Sequence, residues 1–180
     1  MRVFVVSTGR CGSTTFSKAC QFISNYTVAH QWHHGQVGNY EYPDDHIEVD
    51  PRLSYSLPLL IEKYPTAKYI HLQRERESCI KSLSKRKSTG FFMRFHFGAI
   101  DKNLQKGAEV YYDITNSLIN KILLGANSQT IHVWLENLIS LDYENNDWQK
   151  IWNFIKAQGN FKDSLAQWKI KYNITKTKRR

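Results

Sequence analysis

The chain has 180 residues, enough for one compact domain that buries roughly 70% of its extended surface. With 41% hydrophobic against 23% charged residues it reads as globular, and no apolar run approaches the roughly 20 residues of a membrane span. The net charge of +9 sits largely in the last twelve residues, KIKYNITKTKRR, which leave 19 basic against 16 acidic residues in the rest; nucleic acid is therefore not the expected partner.

The opening run VFVV (3–6) is short and β-branched, as in a buried parallel strand, and too short for a secretory signal. Residues 13–24 read as a helix, and YTVAH (26–30) as a second strand, followed by a polar, aromatic loop to Asp45. HIEVD (46–50) alternates with period two, which sets His46, Glu48 and Asp50 on one face. Asp50 and Pro51 make a good helix start, N-cap then first helical position; that helix is expected to reach about Tyr64, kinked near Pro58. KYIHLQ (68–73) is the next strand and ESCIKSLSKR (77–86) the next helix. After a Gly- and Phe-rich loop come a helix over 106–124 and the strand TIHVWL (130–135). WQKIWNFIKAQ (148–158) is an amphipathic helix with Trp148, Ile151, Trp152 and Ile155 on one stripe.

Strands alternating with helices imply an α/β fold, a single domain over 1–168 whose central parallel sheet is flanked by helices, with a basic tail over 169–180. Ligands of such sheets sit beyond the carboxyl ends of the strands. The cysteines Cys11, Cys20 and Cys79 are an odd number without CxxC spacing, which suits a reduced cytoplasm with no disulfide framework and no zinc site.

The segment richest in chemistry is STGRCGSTTF (7–16), between the first strand and the first helix. Gly9 and Gly12 let the backbone curl around an anion, and Ser13, Thr14 and Thr15 offer hydroxyls beside the N–H groups of the helix start. Arg10 adds a fixed charge with forked donors. A nucleoside-triphosphate loop would place Lys directly after the second glycine, where Ser13 stands. A cysteine phosphatase would place Arg six residues after Cys11, where Ser17 stands.

The loop resembles the 5′-phosphosulfate loop of the sulfotransferases that use 3′-phosphoadenosine 5′-phosphosulfate (PAPS), in which a Lys or Arg precedes a Gly-Ser/Thr-Thr run. KYIHLQRERESCIKS (68–82) is similar to that family's 3′-phosphate segment, with Arg74 at the strand end and Ser82 eight residues later. WLENL (134–138) is similar to a third family element, matching at Glu136 and Leu138, and the closing AQGNFKDSLAQWKIKYN looks like the ending of small bacterial members. The family's Arg-Lys-Gly loop is missing; Lys162 is a candidate to replace its contact with the 3′-phosphate.

The resemblance implies the P-loop-like sulfotransferase fold. It also implies a donor site of Arg10, Cys11, Gly12, Ser13, Thr14, Thr15, Arg74 and Ser82, with PAPS as co-substrate and adenosine 3′,5′-bisphosphate (PAP) as product. It implies metal-independent transfer to a hydroxyl or amine of a small-molecule, glycan or peptide acceptor, and leaves the oligomeric state open. For the general base, Glu48 and Asp50 at the end of HIEVD are favoured over His30 and His33. His30, His33 and His34 lack a recognised metal spacing, and Phe91, Phe92, Phe95 and Phe97 read equally as core or as a cover over the ligand. Two rival functions stay open, a nucleotide or nucleoside kinase-like enzyme and a non-catalytic module that binds anions or nucleic acid.

Overall fold

The computed structural model describes residues 1–32, 40–85, 104–140, 146–170 and 172. Among these residues five strands, β1 (Arg2–Val6), β2 (Thr27–His30), β3 (His46–Val49), β4 (Lys68–Gln73) and β5 (Gln129–Trp134), form one sheet in the order β2-β3-β1-β4-β5, all parallel. The α-helices among the described residues are α1 (Ser13–Cys20), α2 (Leu57–Lys63), α3 (Arg76–Ser84), α4 (Leu104–Gly125), α5 (Leu135–Leu138), α6 (Asp147–Ile155) and α7 (Phe161–Ala166). The α/β class with a central parallel sheet is thus as the alternation requires. No helix among the described residues is long and apolar enough to cross a membrane.

Because β1 is central, both of its faces are buried. Val3 and Val5 join one core with Phe16 of α1, Ile80 of α3 and Trp148 of α6. Phe4 and Val6 join the other with Leu57 and Leu60 of α2 and Ile119 and Leu123 of α4. The apolar stripe of α6 closes the first core as its spacing demands, with Trp148 edge-on to both Phe16 and Trp168.

Three elements differ from the sequence expectation by more than a residue or two. The helix expected over 13–24 stops at Cys20, because Ile23 turns into a bridge with Gly159 and Ser24 N donates to the Gln158 carbonyl. A Cβ at Gly159 would sit 2.2 Å from the Phe22 carbonyl oxygen, so only glycine fits that approach. The single kinked helix after Asp50 is two pieces: a 3₁₀ turn over Pro51–Tyr55 capped by the Asp50 side chain, then α2, in whose first turn Pro58 sits as a starter, not a kink. Helix α6 ends at Ile155, where Lys156 takes a left-handed conformation at φ 54°. A further helix, α7, is capped by Asn160, whose Oδ1 accepts from Asp163 N.

The strand order positions the site. The chain leaving β1 passes through α1 to β2 at one edge, whereas the chain leaving β3 crosses to β4 on the other side of β1. Connections therefore part at the carboxyl ends of β1 and β3, which is where open parallel sheets hold ligands.

Candidate anion-binding site

The register brings the carboxyl ends of β2, β3 and β1 level, pairing His30 with Val49 and Val5 with Val49. Ser7, Asp50 and Arg74 each follow a strand directly, so they share this edge with His30.

The loop from Ser7 to Gly12 is held from below. Ser54 Oγ donates to the Ser7 carbonyl at 2.9 Å, Gly9 N donates to Ser7 Oγ at 3.1 Å, and Tyr111 Oη donates to the Thr8 carbonyl at 2.6 Å. Gly9, Arg10 and Gly12 all have positive φ, at 79°, 60° and 92°. Glycine is required at position 12 twice over: besides its φ, a Cβ there would stand 2.8 Å from Leu135 Cδ1 at the start of α5. The helical ladder opens with Phe16 N donating to the Gly12 carbonyl, and Gly12 supplies no side-chain cap. Amides ahead of Phe16 thus face the strand-end crevice at the positive end of α1, with Ser13, Thr14 and Thr15 partly exposed beside them. Cys11 differs from its neighbours: its thiol is buried and turned away, so only its backbone faces an anion.

The 68–82 segment meets this loop. Arg10 Nε donates to Ser82 Oγ at 3.0 Å, across 72 positions of sequence. Arg74 reaches the same place from β4, its NH1 group donating to the Arg10 carbonyl at 3.0 Å. Its Nε is buried with no hydrogen-bond partner among the described residues, an orphaned charged donor beside the loop. The Arg74 carbonyl accepts from Tyr112 Oη at 2.7 Å, and Glu136 Oε2 accepts from the next amide, Glu75 N, at 3.2 Å. All three segments singled out from the sequence therefore converge. Tyr111 and Tyr112 were missed, since paired tyrosines on an amphipathic helix signal core packing and nothing more.

The four candidate bases are placed very differently. His30 Nε2 lies 3.3 Å from Ser13 Oγ, at the mouth of the loop. Burial holds its pKa below the usual histidine range, although the charges of Asp50 and Glu48 pull the other way. Glu48 is 1% exposed, with Oε1 accepting from Trp32 N and Oε2 3.3 Å from His46 Nε2. Asp50 is 5% exposed and clamps Arg52, accepting from its backbone N at 2.9 Å, its Nε at 3.0 Å and its NH2 group at 2.7 Å. His33 lies outside the described residues, as do His34, the phenylalanines at 91, 92, 95 and 97, and most of the basic tail. Lys162 is exposed on α7, which is tied to the end of α1 remote from the loop through Ser164 Oγ and the Ala19 carbonyl.

No protein-family model matches the chain, and no curated protein matches it at a significant level.

Proposed function

We propose that this chain is a sulfotransferase of the P-loop-like fold that transfers the sulfuryl group of PAPS to a hydroxyl or amine. The observation that carries the assignment is the junction of Arg10, Ser82 and Arg74, which joins a glycine loop at a helix start to a second, arginine-bearing segment. One anion at the loop accounts for the first; a ligand with a second phosphate accounts for both, and PAP has phosphates at its 5′ and 3′ positions. The orphaned Nε of Arg74 suits a charged acceptor atom of such a ligand.

In the reaction the acceptor oxygen or nitrogen forms a bond to sulfur while the bond from sulfur to the bridging phosphate oxygen breaks. Charge grows on that leaving oxygen, where Arg10 and the loop amides stabilise it. His30 takes the acceptor's proton: it stands at the loop mouth, and its lowered pKa keeps it neutral at pH 7. Asp50 and Glu48, whose oxygens are engaged by Arg52, Trp32 and His46, act on His30 through their charge.

Thermal unfolding in the presence of nucleotides tests this assignment. PAP raises the melting temperature without magnesium, and ATP with magnesium does not. Stabilisation by magnesium-ATP alone would replace the sulfotransferase with a kinase-like enzyme, and salt-sensitive binding to polynucleotides without nucleotide preference would replace both.

A further inference from the structure

Directly beneath the loop, Cys11 Sγ and Cys79 Sγ lie 3.9 Å apart, and both side chains are buried. Cys11 belongs to the loop and Cys79 to α3, so the thiols join from below the same two segments that Arg10 and Ser82 join above. Thr8 Oγ1 touches both sulfurs, at 3.2 Å and 3.7 Å, and the Gly9 carbonyl accepts from both, at 3.3 Å and 3.5 Å. The pair is electrostatically unequal. The hydrogen bond from Cys11, then that from Thr8 and the charges of Arg74 and Arg10, hold the Cys79 thiol below its ordinary pKa despite burial. The same contact, with burial, pushes Cys11 up.

We propose that Cys11 and Cys79 are a redox-active pair, and that a peroxide closes a disulfide between them which ties the loop to α3 and disables the anion site.

The chemistry balances with hydrogen peroxide as the oxidant. The Cys79 thiolate attacks one peroxide oxygen, the O–O bond breaks, and the departing hydroxide takes a proton to leave as water. The Cys11 sulfur then attacks the sulfenic acid of Cys79, an S–S bond forms, the S–O bond breaks, and the Cys11 proton leaves in a second water. Two thiols are oxidised and one peroxide is reduced. The oxidant needs only a local opening of the loop, because the sulfurs lie against Gly9, which is itself partly exposed.

Bonded sulfurs sit about 2 Å apart, so closing the pair requires an approach of roughly another 2 Å. Cys79 is fixed in the middle of α3, so the loop supplies that movement. Cys11 lies between two left-handed residues, Arg10 and Gly12, and shifting it turns their amides and draws Arg10 away from Ser82. The effect runs both ways by linkage: if the disulfide weakens ligand binding by a given factor, bound ligand opposes the disulfide by the same factor. A tenfold coupling corresponds to about 30 mV in a two-electron potential.

The test treats the full chain with hydrogen peroxide and maps tryptic peptides without reduction. The expected product links CGSTTFSK (11–18) to ESCIK (77–81) with the loss of two hydrogens, in wild type and in Cys20→Ala but not in Cys79→Ser. Titration with PAP, a probe that rests on the sulfotransferase assignment, should show affinity falling about tenfold or more on oxidation and returning with dithiothreitol. Amide hydrogen exchange over residues 9–15 should change in parallel, whatever the ligand. No link, a link to Cys20, or a link that alters neither PAP binding nor loop exchange overturns the proposal. If the reduced protein does not bind PAP, the functional assignment falls, and the redox pair is still judged by the linked peptide and by loop exchange.

Discussion

Tyr111 and Tyr112 stand side by side on α4 and hold two different walls of the anion site, Tyr111 through the Thr8 carbonyl and Tyr112 through the Arg74 carbonyl. One rigid helix thereby sets the spacing between the glycine loop and the arginine that follows β4. Losing one neutral hydrogen bond costs about 1 kcal/mol, roughly fivefold in affinity where that bond positions a ligand group. Tyr112→Phe should weaken PAP by about that factor while sparing adenosine 5′-monophosphate, and Tyr111→Phe should weaken both. Calorimetric titration of the two nucleotides decides it: equal losses in both variants would reduce the tyrosines to general supports.

Arg10→Ala should lower sulfuryl transfer on the order of a hundredfold, because it removes a cation from the oxygen on which charge develops. Ser82→Ala should cost only a few-fold, since it removes one hydrogen bond to the guanidinium and leaves the charge in place. Single-turnover rates at saturating donor measure both. An Arg10→Ala enzyme as fast as wild type would remove Arg10 from the reaction.

Arg74→Ala should erase the preference for PAPS over the analogue that lacks the 3′-phosphate. Its Nε is a buried donor without a partner among the described residues, so the truncation costs the fold one hydrogen bond, from NH1 to the Arg10 carbonyl, and costs the doubly charged ligand a charge-assisted contact as well. Competition binding with the two analogues reads the ratio directly, and an unchanged ratio would reassign the 68–82 segment.

The pH profile tests the base. A neutral His30 is the active form, so the rate should rise with pH through its pKa, below 6.5, and level off above it. His30→Gln should lose this acid limb and on the order of a hundredfold in rate. Asp50→Asn and Glu48→Gln remove negative charges that raise the His30 pKa, so each should move the limb to lower pH. A collapse of rate in either carboxylate variant, with His30→Gln fast, would transfer the proton to that carboxylate.

Away from the site, His71 on β4 is buried between Asn116 and Asn120, and burial drives its pKa from 6.5 down to about 4. In that window the unfolded chain binds the proton and the folded one does not, so stability rises with pH. The His71 contribution is full above about 6.5, and on the order of 2 kcal/mol of it is lost by about pH 5. Urea unfolding of wild type and His71→Gln at the two pH values isolates it. An equal pH dependence in both proteins would contradict the depressed pKa.

Much of this architecture was legible in the chain because buried parallel strands are short β-branched runs, and the five strands lie within a residue of VFVV, YTVAH, HIEVD, KYIHLQ and TIHVWL. The loop announced itself through Gly9, Arg10 and Gly12, and Arg74 through its place after a strand. What stayed hidden is how the fold orients side chains, whether their partners are near or far in sequence. The N-cap role of Asp50 was legible, and its partner Arg52 and the Glu48 partner His46 stand only two residues away, but that these bonds and Trp32 N together occupy both carboxylates shows only in the fold. The end of α1 was likewise invisible, since it is imposed by Gly159 from across the fold. Helix α7 did carry a local signal, the Asn160 and Asp163 pair, which hydrogen-bonds in both directions at the helix start.

Arg10 holds a φ of 60°, a conformation that costs a non-glycine residue about 1–2 kcal/mol and costs glycine little. Glycine's greater freedom in the unfolded chain and the lost hydrogen bond to Ser82 offset that gain, so replacing Arg10 by glycine leaves the fold about as stable as before. Directed evolution of this chain for heat resistance alone has little reason to keep the arginine. Position 10 is therefore a sentinel: selection for stability alone is near neutral there, and a survivor that retains Arg10 under activity selection reports what the loop is for.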